Sequence, residues 1–171
     1  MPVDPFLEED FRVLTPEAFD FVLTNELKRA VRSQNFLTLL LVEPIVAAAP
    51  DEGNGEREAA VRQIARLISR EVRETDLLSQ TDKAQLSVVL LDADLPNSLR
   101  VVDRVMSRLE HYEFAKPLVI GVGAACCPTH GADAETLRQA AKARTVHPRR
   151  NPGSATAPGP LTDRDKSSNA Q

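Results

Sequence analysis

Two side chains able to recognise a phosphate or a purine lie three residues apart, at Arg73 and Asp76. A guanidinium group offers two parallel N–H donors to a phosphate or to the O6 and N7 edge of guanine, and a carboxylate accepts N–H groups. The alternative is an ordinary surface ion pair, which contributes at most about 1 kcal/mol. The same spacing recurs at Arg100 and Asp103, and 27% of the residues are charged, so the pair alone is weakly specific.

A predicted hairpin follows this pair. Residues 76–80 and 85–91 are apolar runs separated by the short polar segment 81–84, which is the spacing of two strands joined by a tight turn. A predicted amphipathic helix over 56–73 precedes the hairpin. Arg73 at the helix end and Asp76 at the strand start are therefore expected to project from one corner of the domain.

The other elements are predicted from apolar spacing and from N-cap residues. They are a helix from Thr15, a strand over 36–42 ending at Glu43-Pro44, a loop over 47–55, a helix from Pro96, a strand over 118–126, and a short helix capped by Asp133. The resulting order is β-α-β-β-α-β with one extra helix at each end. It predicts an α+β fold with a ferredoxin-like core, in which helices pack on a four-stranded antiparallel sheet.

Composition sets the domain limits and excludes some functions. Residues 1–14 are predicted to be a short lead, 15–146 the domain, and the Pro-, Gly- and Ser-rich segment 147–171 a disordered tail. A net charge of -4 does not favour binding to a nucleic-acid duplex. The chain has no leader-like opening and no apolar run long enough to cross a membrane, so we expect a cytoplasmic protein.

The cysteines and histidines give no metal site. Cys126 and Cys127 are adjacent, and neighbouring residues of a strand face opposite ways, so we expect buried reduced thiols. His111, His130 and His147 lack metal-ligand spacing with these cysteines and are expected at the surface.

The order and spacing of these pieces resemble the GGDEF family, the diguanylate cyclases of bacterial cyclic di-GMP signalling. The resemblance covers about residues 14–141. It is carried by Leu14-Thr15 before a helix, the strand Leu39-Leu40-Leu41-Val42-Glu43, the hairpin over 76–91, the strand Ile120-Gly121-Val122-Gly123-Ala124, and the later Pro128 and Gly131-Ala132-Asp133.

The signature of that family is degenerate here. The family has Gly-Gly and two acids at the hairpin turn, whereas this chain has Asp82-Lys83-Ala84-Gln85-Leu86. Phosphoryl transfer depends on metal ions and on positioning. Glu43 still offers a carboxylate where the family holds a metal, and Glu58 lies near another acidic position, but two acids without the hairpin acid make a poor two-metal site. The resemblance therefore favours a domain without catalytic residues, and Mg²⁺ is expected only if residual activity remains.

Active members of the family often carry an inhibitory R-x-x-D site five residues ahead of the signature, with an arginine on the following helix. The resemblance maps this site onto Arg73, Asp76 and Arg104, with cyclic di-GMP as the ligand and no cofactor. The leading hypothesis is an inactive signalling domain that senses cyclic di-GMP and contacts a protein partner in trans. The alternatives are an interaction adaptor without nucleotide binding and a residual diguanylate cyclase. A homodimer is compatible with each of these.

Overall fold

The structure, a computed structural model, describes residues 7–8, 13–46, 54–82, 85–114 and 118–150. The elements are β1 (Leu7–Glu8), β2 (Val13–Leu14), α1 (Pro16–Ser33), β3 (Leu37–Val46), α2 (Asn54–Glu71), β4 (Leu77–Asp82), β5 (Gln85–Leu91), α3 (Leu95–Glu110), β6 (Leu118–Cys127), α4 (Ala134–Ala143) and β7 (Thr145–Arg150). The predicted α+β class is confirmed.

The strands form one sheet in the order β1-β2-β4-β5-β3-β6-β7. Its central part, β4-β5-β3-β6, is antiparallel throughout, which is the ferredoxin-like order expected from the sequence. The sheet is wider than the predicted four strands, because β1 and β2 extend the β4 edge and β7 extends the β6 edge. It is also mixed rather than purely antiparallel, since β2 runs parallel to β4.

Strand β3 is covered on both faces, as its continuous apolar run predicts. Leu40 and Val42 face a core shared with α2 and α3, and Leu39 and Leu41 face a second core shared with α1 and α4. The two helices of the ferredoxin-like core, α2 and α3, therefore lie on one face of the sheet, and the extra helices α1 and α4 cover the other face. The predicted strand end at Val42 is also wrong, because β3 continues to Val46.

Two helices begin where their capping residues predict. Thr15 is the N-cap of α1, its hydroxyl accepts the Ala18 N–H at 3.3 Å, and Pro16 is the first helical residue. Asp133 is the N-cap of α4, and its carboxylate accepts the Thr136 N–H at 2.9 Å. Within the described ranges, no helix combines the length and apolar character that spanning a bilayer requires.

The predicted domain limits need correction at both ends. Val13 is buried and belongs to β2, so the sheet begins inside the predicted lead. At the other end, the backbone of 145–150 pairs with β6, so the predicted start of a disordered tail at 147 is wrong. Pro148 is compatible with this pairing because β7 is an edge strand, where a missing N–H is tolerated. Residues 151–171 lie outside the described residues.

Helix α4 packs so closely on β6 that position 123 accommodates only glycine. A Cβ added to Gly123 would lie 2.0 Å from the carbonyl oxygen of Ala141. The close approach is fixed by the Ala124 N–H, which donates to the carbonyl of Arg144 at 3.1 Å. At Gly121, two residues earlier, the nearest atom to an added Cβ is the carbonyl oxygen of Glu43 at 3.9 Å, an ordinary contact.

We therefore expect Gly123→Ala to lower the free energy of unfolding by about 3 kcal/mol or more, because a clash with backbone cannot be relieved by a change of rotamer. Gly121→Ala is the matched control and should change it by less than about 1 kcal/mol. Urea denaturation followed by circular dichroism measures both. Equal losses in the two variants would show that α4 does not pack on β6 in this way.

Candidate functional site

Asp76 is a buried carboxylate that joins three segments of the chain. Its side chain is 3% exposed. Its Oδ2 atom accepts the backbone N–H of Arg73 at 3.0 Å, and its Oδ1 atom accepts the backbone N–H of Leu91 at 3.0 Å. The Asp76 N–H in turn donates to the Arg73 carbonyl at 3.0 Å. The residue therefore ties the end of α2, the start of β4 and the end of β5 together.

The guanidinium group of Arg73 lies in solvent next to Asp76. Helix α2 ends at Glu71, so Arg73 is in the following turn and not at the predicted helix end. Its side chain is 61% exposed, and its Nε atom is 3.5 Å from Oδ2 of Asp76. An Nη2 N–H donates to the carbonyl of Leu91. These contacts fix one edge of the guanidinium group and leave it accessible to a ligand.

Arg104 reaches the same end of α2 from α3. Its Nη2 atom donates to the backbone carbonyl of Glu71 at 3.3 Å, and its Nε atom is 3.7 Å from Oε2 of Glu71. The side chain is 61% exposed. Arg73, Asp76 and Arg104, the three residues that the resemblance suggests for a ligand site, therefore all lie near the C-terminal end of α2. Whether they bind a nucleotide stays a prediction.

The three side chains differ in what they can do. The two guanidinium groups are exposed and can bind an anion. The Asp76 carboxylate is engaged by two backbone N–H groups and is nearly inaccessible, so its role in the structure is to position the corner. The simple alternative of an exposed Arg–Asp ion pair does not describe this geometry either, because only the arginine is exposed.

Two further residues at this corner, Glu71 and Arg108, were not predicted from the sequence. Glu71, 14% exposed, places its Oε1 atom 2.8 Å from Nε of Arg108, whose side chain is 69% exposed. Two signals could have found them. Arg104 and Arg108 are four residues apart and so share one face of α3. Glu71 is an acid at the C-terminal end of a helix, where the dipole favours a cation.

No protein-family model and no curated protein matches the chain. Several solved structures match the chain. The GGDEF domain of YfiN from Pseudomonas aeruginosa is 18% identical, with a TM-score of 0.64 over 77% of this chain and 86% of that chain. A DGC protein from Thermotoga maritima is 16% identical, with a TM-score of 0.66 over 84% and 100%. The GGDEF domain of DgcB from Caulobacter crescentus, solved in complex with c-di-GMP, is 10% identical, with a TM-score of 0.63 over 84% and 89%.

The chain has the GGDEF-domain fold. The expectation drawn from the order of the sequence motifs is thereby confirmed for the fold. At these identities the likeness shows the fold alone.

The predicted hairpin is formed, with β4 antiparallel to β5. Leu86 is 0% exposed and packs in the core. Lys83, Ala84 and the side chain of Asp82 lie outside the described residues. Gln85, which the resemblance aligns with the family's second acid, is the first residue of β5 and carries a neutral amide.

Glu43, the candidate metal ligand, lies within β3 and not at its end. It is exposed and pairs with Gly121 of β6. The pairing of β3 with β5 stops one residue earlier, at Val42 and Leu86, so Glu43 has no partner on β5. Among the described residues, no group of three or more His, Cys, Asp or Glu side chains could hold a metal ion.

The cysteines behave as predicted, and one histidine does not. Cys126 and Cys127 are free and buried, and burial raises the pKa of both thiols. His130, expected at the surface, is half-buried, and its Nδ1 atom accepts the Cys126 N–H at 2.9 Å. Burial first, and then the charge of Arg144, lowers the pKa of His130. This imidazole fixes the turn after β6. His111 is exposed, and the side chain of His147 lies outside the described residues.

The position of Asp76 predicts a large effect on stability. Asp76→Ala leaves two backbone N–H groups without their acceptor, and we expect it to lower the free energy of unfolding by about 2–4 kcal/mol. Asp76→Asn keeps one acceptor oxygen and should cost about half as much. Urea denaturation measures both. Glu74→Ala, an exposed acid of the same turn, is the control and should have little effect. An Asp76→Ala variant as stable as that control would contradict the proposed tie.

Proposed function

We propose that this protein is a GGDEF-fold signalling domain that binds cyclic di-GMP at the end of α2 and does not synthesise it. The observation that carries the proposal is the placement of Arg73 and Arg104, each 61% exposed, around one helix end. Each guanidinium group donates to a backbone carbonyl, of Leu91 and of Glu71 respectively. Both cations are thus held in place before a ligand arrives.

The chemistry of this corner suits the proposed ligand. Cyclic di-GMP carries two phosphodiester anions and two guanines, and an arginine fork can bind either a phosphate or the O6 and N7 edge of guanine. Asp76 holds Arg73 in position through its backbone. The DgcB domain, which shares the fold, was solved with this ligand, and that supports the choice of ligand class.

The absence of synthesis rests on the signature hairpin. A magnesium site needs several oxygen ligands, of which carboxylates supply the charge. Gln85 supplies none, Ala84 has no oxygen in its side chain, and Glu43 alone remains on the neighbouring strand. The domain would therefore bind cyclic di-GMP and transmit its ligand-bound state to a protein partner or to a second copy.

A second candidate function is a protein-interaction domain that has lost nucleotide binding. Three large apolar side chains on or next to α1 favour it, since they lie in solvent: Phe21 at 71%, Val31 at 50% and Phe36 at 44% exposure. This helix lies on the sheet face opposite α2 and α3. A partner could therefore bind there without covering the arginine corner.

Isothermal titration calorimetry with cyclic di-GMP tests the leading proposal. We expect wild type to bind and Arg73→Ala or Arg104→Ala to weaken affinity about tenfold each, because each removes a charge-assisted contact of roughly 1–3 kcal/mol. Arg32→Ala, an exposed arginine on α1, should bind like wild type. Absence of heat with wild type, or unchanged affinity in Arg73→Ala, would end the receptor proposal and leave the interaction domain.

Incubation with GTP and Mg²⁺, followed by chromatography of the products, tests the lack of synthesis. We expect no cyclic di-GMP from wild type and none from Glu43→Gln, because the two positions that the resemblance aligns with the family's hairpin acids are Ala84 and Gln85, which supply no carboxylate for a two-metal mechanism. Product from wild type that disappears in Glu43→Gln would instead identify a residual cyclase.

A further inference from the structure

We propose that Arg108 belongs to the same anion site and that Glu71 is an internal counter-anion, which a bound phosphodiester must displace. The identity of the ligand rests on the proposed function. The arrangement of Glu71, Arg104 and Arg108 is independent of it.

Glu71 bridges two arginines of α3 with its two oxygens. Its Oε1 atom is 2.8 Å from Nε of Arg108, and its Oε2 atom is 3.7 Å from Nε of Arg104. The carboxylate is largely buried beneath them, at 14% exposure, while the two guanidinium groups are 61% and 69% exposed. The acid lies inside the corner, and the cations form its outer surface.

Without these contacts, the position of Glu71 would be unfavourable for an acid. It is the last residue of α2, where the helix carries partial negative charge. Arg104 offsets both charges, since it contacts the carboxylate and also donates to the carbonyl of the same residue. The two arginines, one helical turn apart, would repel each other without an anion between them. Glu71 therefore occupies the place of an anion in the free protein.

A phosphodiester can replace Glu71 at this place. Carboxylate and phosphate oxygens accept the same N–H groups of guanidinium, so both compete for the same donors. Arg73, two residues beyond Glu71, would add a third cation to the bound phosphate. Removing the charge of Glu71 should remove one competitor for the N–H donors of Arg104 and Arg108, and removing Arg108 should take away one ligand-binding group.

Calorimetry at fixed low ionic strength, with cyclic di-GMP and separately with inorganic pyrophosphate, tests this arrangement. We expect Glu71→Gln to tighten binding of both probes about fivefold and Arg108→Ala to weaken it by a similar factor, as for a partly exposed ion pair. Glu17→Gln on α1 and Arg62→Ala on α2, both at exposed positions, are the matched controls and should bind like wild type. A gain in affinity cannot arise from partial unfolding of a variant.

The outcomes separate the two proposals. If cyclic di-GMP binds and depends on Arg73, but Glu71→Gln and Arg108→Ala bind like wild type, the counter-anion proposal is overturned and the receptor proposal stands. If pyrophosphate responds as expected while cyclic di-GMP gives no heat, the anion site is supported and the receptor proposal fails. If neither probe binds to any variant, both are overturned.

Discussion

The hydrogen bonds from the backbone of Arg73 and Leu91 to the carboxylate of Asp76 hold together the corner on which the functional argument depends. A buried carboxylate is costly unless its oxygens are matched by donors, and here each oxygen has one. Only the ends of the three segments α2, β4 and β5 meet at this corner. Their convergence gives Arg73 a fixed backbone, and a fixed backbone lets an exposed side chain present its charge in one place.

The parts of the fold that could be predicted are those that depend on local sequence patterns. The apolar run of β3, the capping residues Thr15 and Asp133, and the polar hairpin turn each determine structure through nearby atoms. The end of β3 could not be predicted, because Pro44 normally marks the end of a strand. At Pro44 the strand pairs with β6 and no longer with β5, so one side of it needs no ladder hydrogen bond. The pairing of β7, which contains Pro148, escaped prediction for the same kind of reason.

The candidate site, like the fold, could be predicted only in part. The spacing of Arg73 and Asp76 predicted that they share one corner, and the family resemblance placed Arg104 there; in the structure Arg104 contacts Glu71 at the end of α2. The sequence could not predict that Asp76 would be buried while both arginines stay exposed, since exposure depends on how the segments pack together. The spacing of Arg104 and Arg108 and the place of Glu71 at a helix end can be read from the sequence, but the contact between Glu71 and Arg108 joins two helices and depends on how α2 and α3 pack. The GGDEF-domain fold explains why the corner exists, and the residues of this chain decide what it can bind.

Strand β5 links this corner to the hairpin. At one end, the N–H of Leu91 donates to Asp76 and its carbonyl accepts from Arg73, so hydrogen bonds hold both of its peptide groups. At the other end, Gln85 is the first residue of the strand. Seven residues of extended chain span roughly 20 Å, and the interior of this strand is buried. A rigid strand therefore connects the arginine corner to the opposite end of β5, and a displacement of Leu91 would be transmitted along it to Gln85.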